Sequence, residues 1–152
     1  KVLPERQSYV EIFYATQAFI NVLLLDDDIS KNAWVEGYVK WEIGILSSIG
    51  FSLKLDECAV TGKKNALYYV SPKTGKAVSK EGAGKFAPKL LLLPHFLGGP
   101  KIDGSNFYKD IITGLKITSY FFKNKLLLSI NDNKNNFLPN ARNRFIEMIE
   151  KL

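Results

Sequence analysis

Cys58 and His95 are the only thiol and the only imidazole in the chain, so they are the first candidates for covalent chemistry. A thiol nucleophile needs a base within hydrogen-bond reach and surroundings that lower its pKa. The residues that flank each of them in the sequence supply neither. The sequence therefore predicts a structural cysteine and a loop histidine, and a thiol enzyme only if folding brings the two side chains together in a cleft.

A bound metal ion or phosphate group is the next possibility. A structural zinc site takes four Cys or His ligands in two close pairs. The residue three positions after Cys58 is Thr61, and no Cys or His lies between Thr61 and His95. The glycine clusters that precede Lys85 and Pro100 lack the strand-to-helix context of a phosphate-binding loop. We therefore expect no metal, no cofactor and no catalytic residue.

Lysine side chains are concentrated around one segment in the middle of the chain, next to Tyr68 and Tyr69. The lysines are Lys63, Lys64, Lys73, Lys76, Lys80, Lys85 and Lys89. Basic groups beside aromatic rings can bind single-stranded nucleic acid through phosphate contacts and base stacking. The formal net charge of +6 also favours a polyanionic partner. The alternative is a solvated face whose tyrosines pack on the core.

The elements that must position these residues follow from the apolar spacing. The predicted helices are 7–25, 31–49, 106–128 and a last helix that starts at Pro139, and the predicted strands of a hairpin are 66–70 and 76–79. Segments 98–104 and 131–136 are predicted to be loops. Because Pro88 and Pro94 interrupt the apolar run 86–97, we expect a turn or a short helix there that ends before Pro94.

The same patterns predict how the helices pack. The first helix should bury its large apolar side chains, among them Phe13, Ile20 and Leu23. Gly37 in the second helix should mark the close approach of another backbone. Ser105 should cap the third helix, and the last helix should present Arg142 and Arg144 to solvent.

The size and composition of the chain fit one folded domain. It has 152 residues, of which 46% are hydrophobic and 24% charged, a balance typical of globular proteins. No segment approaches the ~20 consecutive apolar residues of a membrane span. A single unpaired thiol fits a reducing compartment. The chain begins with Lys1 rather than Met, as a fragment of a longer protein would.

Three motifs in order carry a family resemblance. Residues 41–51 contain an aromatic–Glu pair, Trp41 and Glu42, on a helix that ends at Gly50 and Phe51. Residues 55–62 contain Cys-Ala-Val-Thr-Gly, and residues 69–79 read Tyr-Val-Ser-Pro-Lys-Thr-Gly-Lys-Ala-Val-Ser. This order resembles the C-terminal region of the bacterial recombination-mediator family RecO, and most closely its alphaproteobacterial members. Segment 90–97 and the late helices fit as well, so the resemblance covers nearly the whole chain.

The resemblance implies a mainly α fold, a helical domain with a small β-hairpin insert that is degenerate zinc-ribbon-like. The domain would span 1–152 and its insert about 52–80. We expect no stretch of this chain to form the N-terminal OB-fold of the family. Metal-bearing members carry four cysteines in the insert, whereas this chain has only Cys58. The hairpin should therefore hold its shape without zinc.

The resemblance also implies a non-enzymatic module of DNA repair and recombination of the RecF-pathway type. Its partners would be the C-terminal tail of single-strand-binding protein, the protein RecR, and single- and double-stranded DNA. It would assist the annealing of DNA strands. It would act in the bacterial cytoplasm at the nucleoid, without contact to a membrane. Lys40 and Trp41 are the expected contacts for the acidic, Phe-ended tail. The expected DNA contacts are Lys63, Lys64, Lys73, Lys76, Lys80 and Lys85. The alternative is a helical protein-interaction adaptor without a DNA role.

Overall fold

The computed structural model describes residues 8–24, 30–127 and 138–152, with the side chains of 30–32 and 125–127 left out. The fold is mainly helical with a small antiparallel sheet, which confirms the predicted class. By its internal contacts the chain divides into two compact units, Lys1–Ser52 and Leu53–Leu152. Each unit is described by itself.

The first unit contains helices α1 (Val10–Leu23) and α2 (Ser30–Ser48), which pack against each other through aromatic rings. Phe19 of α1 stacks on Trp41 of α2, with ring centroids 6.0 Å apart and planes inclined by 19°. The Trp41 indole Nε1 donates a hydrogen bond to Thr16 Oγ1 at 2.9 Å. This bond gives the indole N–H a polar partner, and Phe19 also contacts Tyr38 of α2, with ring centroids 6.0 Å apart.

The prediction that α1 buries a wide apolar face is wrong. No residue of α1 is buried, and Phe13, Ile20 and Leu23 are 64%, 49% and 48% exposed. Periodicity identified the helix correctly, but it overestimated the width of the stripe that its neighbour covers. The half-buried positions, which include Phe19, occupy the narrower face toward α2.

Helix α2 buries a different stripe from the aromatic one. Val35, Val39, Glu42 and Leu46 are the buried residues of its described side chains, at spacings of four, three and four. Trp41 is half-buried and faces α1. Side chains of α2 are therefore covered on two neighbouring sides of the helix, the buried stripe on one and Trp41 on the other.

The second unit is built around a three-stranded antiparallel sheet, in the order β2 (Ala77–Ser79), β1 (Leu67–Val70), β3 (Leu91–Leu92). The hairpin of β1 and β2 was predicted, and the short third strand was not. A bulge between Leu67 and Tyr69 shifts the register of the β1–β2 pair. As a result both ends of β1 are buried while Tyr68 and Tyr69 in its middle are both half-buried, where simple alternation would bury one of them.

The segment after the hairpin contains a short helix that was not predicted. Helix α3 (Lys80–Ala83) begins there, with the Ser79 hydroxyl as its N-cap accepting from Gly82 N at 3.0 Å. Two 3₁₀ turns follow, Gly84–Lys89 before β3 and His95–Leu97 after it. The short helix or turn expected before Pro94 is therefore confirmed in the first of them.

Helix α4 (Phe107–Phe121) continues into a π-helical turn, Phe122–Leu127. Its buried stripe includes Ile111, Leu115 and Thr118, as the spacing predicted. Its N-cap is Asn106 rather than Ser105, because the Asn106 side chain accepts from Lys109 N at 2.8 Å. The predicted loop 131–136 lies outside the described residues.

Helix α5 (Asn140–Ile149) is rotated relative to the prediction. Arg142, expected in solvent, is 6% exposed and buried with Ile149. Its guanidinium donates to Ser119 Oγ at 2.8 Å, Thr118 Oγ1 at 2.9 Å and the Leu115 carbonyl at 3.3 Å, all on α4. Arg142 therefore joins α5 to α4, whereas Arg144 is exposed as predicted.

Candidate partner-binding groove and basic hairpin surface

A groove of about 250 Å³ lies between α1 and α2 in the first unit. It is lined by Ala15, Ala18, Phe19, Val22, Gly37, Lys40 and Trp41. Lys40 supplies the only charge of this lining, and the small side chains of the alanines and Gly37 leave space between the helices. We call this feature the α1–α2 groove.

The wall of the groove is held in a fixed position. Trp41 is restrained by its stack on Phe19 and by its hydrogen bond to Thr16. The Thr16 hydroxyl in turn donates to the Ile12 carbonyl at 2.7 Å. The aromatic surface is thus preorganised, which lowers the entropy cost of binding an apolar side chain against it.

Lys40 lies at the edge of the groove, with its side chain 54% exposed and its Nζ 3.5 Å from Glu36 Oε2. An exposed pair of this kind contributes little stability. The ammonium group of Lys40 is exposed and therefore accessible to a carboxylate of a ligand.

The two residues predicted as partner contacts, Lys40 and Trp41, are thus brought together in one groove. The α1 side of that groove was not predicted. Its alanines, Ala15 and Ala18, could not be recognised as groove residues from the sequence, because this role depends on the position of α2. Gly37 was expected to mark a backbone approach, but the nearest atoms to a Cβ at this position are in the Phe19 ring, at 3.5 and 3.8 Å.

The predicted DNA contacts lie on the second unit, and all six lysines are exposed: Lys63, Lys64, Lys73, Lys76, Lys80 and Lys85. Lys80 Nζ lies 5.4 Å from the centre of the Tyr68 ring, and Lys85 Nζ lies 5.6 Å from that of Phe86. Lys63 instead donates to Glu81 Oε2 at 2.8 Å, and this hydrogen bond raises the pKa of Lys63. The lysines therefore differ: Lys63 is already paired with a carboxylate, while Lys80 and Lys85 accompany aromatic rings.

Cys58 and His95, the candidate thiol pair, have separate polar partners. His95 is exposed, and its Nδ1 lies 3.1 Å from the Gly99 carbonyl. Cys58 is buried, with Sγ 3.3 Å from Ser79 Oγ. Burial alone raises the pKa of the Cys58 thiol, but the hydroxyls and backbone N–H groups of Ser79 and Thr61 together lower it from 9.0 to about 6.

Comparison with known proteins identifies the family. The model of the family described as "Recombination protein O C terminal" matches residues 1–133. This chain belongs to the RecO C-terminal family. The DNA repair protein RecO of Hyphomonas neptunium is 42% identical over 127 residues, which cover 84% of this chain and 50% of that protein. The RecO proteins of a Ruegeria species and of Rhodospirillum rubrum are 36% and 35% identical over 149 and 150 residues, covering 98% and 99% of this chain and 57% and 58% of theirs.

The chain spans about half the length of the curated RecO relatives it matches. These relatives are mostly alphaproteobacterial, in agreement with the resemblance. No solved structure matches the fold. Among the residues that the structure describes, no helix has the length and apolar character of a membrane span.

The zinc ribbon implied by the family resemblance can be tested against the residues present. Tetrahedral zinc needs four Cys or His ligands, and the insert offers one thiol. Over 8–24, 30–127 and 138–152, no group of three His, Cys, Asp or Glu side chains is placed to hold a metal ion. The residues of this chain do not fit zinc.

Proposed function

We propose that this RecO-family domain is a non-enzymatic binding module of DNA repair and recombination, and that its α1–α2 groove receives the acidic, Phe-ended tail of single-strand-binding protein. The observation that carries the proposal is the placement of Lys40 and Trp41 on one preformed groove of about 250 Å³. A cavity of about 150 Å³ is enough for a benzene ring. The groove therefore has room for a terminal phenyl group with part of its backbone.

Charge supports the same ligand. The α-carboxylate and neighbouring acidic side chains of such a tail need a cation close to the ring pocket, and a charge-assisted hydrogen bond from Lys40 can supply it. The formal net charge of +6 also attracts an acidic peptide over a longer range. Binding should weaken as salt rises, because the Lys40 ammonium is exposed.

The groove can be tested with two glycine variants on the same helix. Gly37→Leu should fill the groove and weaken binding of an acidic Phe-ended peptide at least about tenfold, the scale of one lost apolar side-chain contact. Gly44→Leu is the matched control, because no heavy atom lies within 4 Å of a Cβ at Gly44 and this residue is outside the groove. Fluorescence anisotropy with a labelled peptide measures both. Equal affinities of the two variants would contradict the assignment.

The charge can be tested separately. Lys40→Glu should weaken the same peptide by about tenfold or more, since it replaces attraction by repulsion next to the carboxylates. Lys116→Glu, an exposed lysine on α4, changes the net charge equally and should have a much smaller effect. If both variants weaken binding to the same extent, only the overall charge matters and Lys40 has no specific role.

We further propose that the lysines of the second unit contact single- and double-stranded DNA, with RecR as a partner and strand annealing as the outcome. Family membership and the exposed lysines beside Tyr68 and Phe86 support this part. Replacing both Lys73 and Lys76 by Ala should reduce the slope of log K against log salt for single-stranded DNA by about 1.4. Lys63→Ala should change it less, because Lys63 is paired with Glu81. Absence of any DNA binding would favour the alternative, a helical protein-interaction adaptor.

A further inference from the structure

Two tight turns meet around Cys58 in the second unit. The first is closed by backbone bonds from Cys58 N to the Lys63 carbonyl at 2.8 Å and from Gly62 N to the Cys58 carbonyl at 2.9 Å. The second is the junction of β2 and α3, where Ser79 caps the helix and accepts from Gly82 N at 3.0 Å. Ala59 N donates to the Ala77 carbonyl at 2.9 Å and ties the first turn to β2.

The Cys58 sulfur lies between these turns and accepts hydrogen bonds from both. Within its own turn it accepts from Val60 N and Thr61 N, each at 3.4 Å. From the second turn it accepts from Ser79 N at 3.2 Å, and the Ser79 hydroxyl lies 3.3 Å away. The sulfur is almost fully buried, at 2% residue exposure, and its two contacts with Ser79 are buried as well.

Four positions converge on this sulfur with the spacing of a metal ribbon. Thr61 follows Cys58 by three positions and Gly82 follows Ser79 by three. Between Thr61 and Ser79 lie 17 residues, within the 15–20 residues that separate the two pairs in C-x₂-C-x₁₅₋₂₀-C-x₂-C sites. A Cβ at Gly82 would lie 3.1 Å from both Cys58 Sγ and Ser79 Oγ, so a side chain there would enter the same space.

We infer that Cys58, Thr61, Ser79 and Gly82 occupy the four ligand positions of a metal ribbon, and that in this chain a hydrogen-bond network centred on Cys58 Sγ joins the two turns in place of an ion. The network uses two backbone N–H groups of the first turn, with one backbone N–H and one hydroxyl of the second. The pair of Lys63 and Glu81, at 2.8 Å, joins the same two turns on the solvent side. A search of the sequence for Cys and His residues could not identify positions 79 and 82, because they are occupied by Ser79 and Gly82.

The inference predicts that three substitutions restore metal binding. The variant Thr61→Cys, Ser79→Cys, Gly82→Cys should bind one Zn²⁺ per chain and, with Co²⁺, show the absorption of a tetrahedral thiolate complex. Its Tm should rise by at least about 10 °C with zinc and fall on addition of a chelator, since binding to the folded state alone stabilises it. The unsubstituted domain should keep the same Tm with zinc or with chelator.

A control variant keeps the number of cysteines and moves one of them. Lys64 is exposed directly after the same turn, so Lys64→Cys, Ser79→Cys, Gly82→Cys places one thiol in solvent. It should bind zinc at least about tenfold more weakly than the first variant. Equal zinc affinity of the two variants, or a folded first variant that binds no metal, would overturn the assignment of the four positions.

Hydrogen exchange in the unsubstituted domain gives a readout that does not depend on how the cysteine-substituted variants fold. In the unsubstituted domain the amides of Thr61 and Ser79 should exchange slowly, and equally so with and without chelator. In Cys58→Ala both should exchange at least about tenfold faster, because the acceptor of their hydrogen bonds is lost. Rapid exchange of these amides in the unsubstituted domain, or protection that chelator removes, would contradict the network.

Discussion

Replacement of Arg142 by methionine should lower the free energy of unfolding of the second unit much more than the same replacement of the exposed Arg144. The Arg142 guanidinium makes three hydrogen bonds to α4, and its carbon lies 5.9 Å from the centre of the Phe122 ring. Hydrogen bonds from a charged donor contribute roughly 1.5–3 kcal/mol each. The acceptors keep other partners, since Ser119 Oγ also donates to the Leu115 carbonyl at 2.6 Å. We therefore expect Arg142→Met to lower the free energy of unfolding by about 2–4 kcal/mol, less than the sum of three bonds.

The matched control is Arg144→Met on the same helix, because Arg144 is exposed and should change the free energy of unfolding by less than about 0.5 kcal/mol. Arg142→Lys should recover only part of the loss, since an ammonium cannot reach three acceptors in the geometry of a planar guanidinium. Urea titrations of the four proteins, followed by circular dichroism, give the comparison. If Arg142→Met and Arg144→Met unfold at the same urea concentration, the join between α5 and α4 does not depend on Arg142 and the reasoning is wrong.

Two further predictions concern the same unit. Gly99→Ala should cost at least about 3 kcal/mol, because its Cβ would overlap the Leu93 carbonyl. Gly104→Ala, at φ +73 with nothing within 4 Å of its Cβ, should cost only about 1 kcal/mol, and thermal denaturation of both variants measures the difference. The pKa of Cys58 is lowered to about 6 in the folded chain, so the stability it adds is absent below about pH 6, grows as pH rises, and is complete above the ordinary value of 9.0. The stability difference between the unsubstituted domain and Cys58→Ala should therefore increase by about 2–3 kcal/mol from pH 5 to pH 8, and a difference that stays constant or shrinks over this range would contradict the lowered pKa.

Much of the fold could be predicted from the sequence because the apolar periods are long. The stripe of α4 and the hairpin of β1 and β2 follow from spacings that only one kind of element satisfies. The two-residue strand β3 could not be predicted in this way, since a strand of that length has no period to read. The bulge in β1, which leaves Tyr68 and Tyr69 both half-buried, depends on pairing with β2 and is likewise invisible in the segment itself.

The position of Arg142 shows a different limit. Arginine is rarely buried, so its surface placement was the reasonable expectation from the sequence. Its acceptors are the Leu115 carbonyl and two hydroxyls that α4 presents more than 20 residues earlier. Which carbonyls and hydroxyls face a given arginine is set by helix packing, and the sequence of α5 does not contain that information.

Only the α2 side of the candidate groove could be predicted from the sequence. Lys40 and Trp41 came from the family resemblance, and the structure places both on the groove lining. The alanines of α1 that form the opposite side have no distinguishing pattern, because any helix surface can carry alanine. Their role follows from the stack of Phe19 on Trp41, which sets which face of α1 meets α2.

The most direct test of the proposed function is a double-mutant cycle between the peptide and the groove. An acidic peptide that ends in Phe and the same peptide ending in Ala are titrated against the unsubstituted domain and against Gly37→Leu. We predict that the terminal Phe strengthens binding to the unsubstituted domain by about tenfold or more, and that Gly37→Leu removes most of this advantage, because the two changes affect one contact. If the terminal Phe gives the same advantage on both proteins, the phenyl ring binds elsewhere and the α1–α2 groove is not the site.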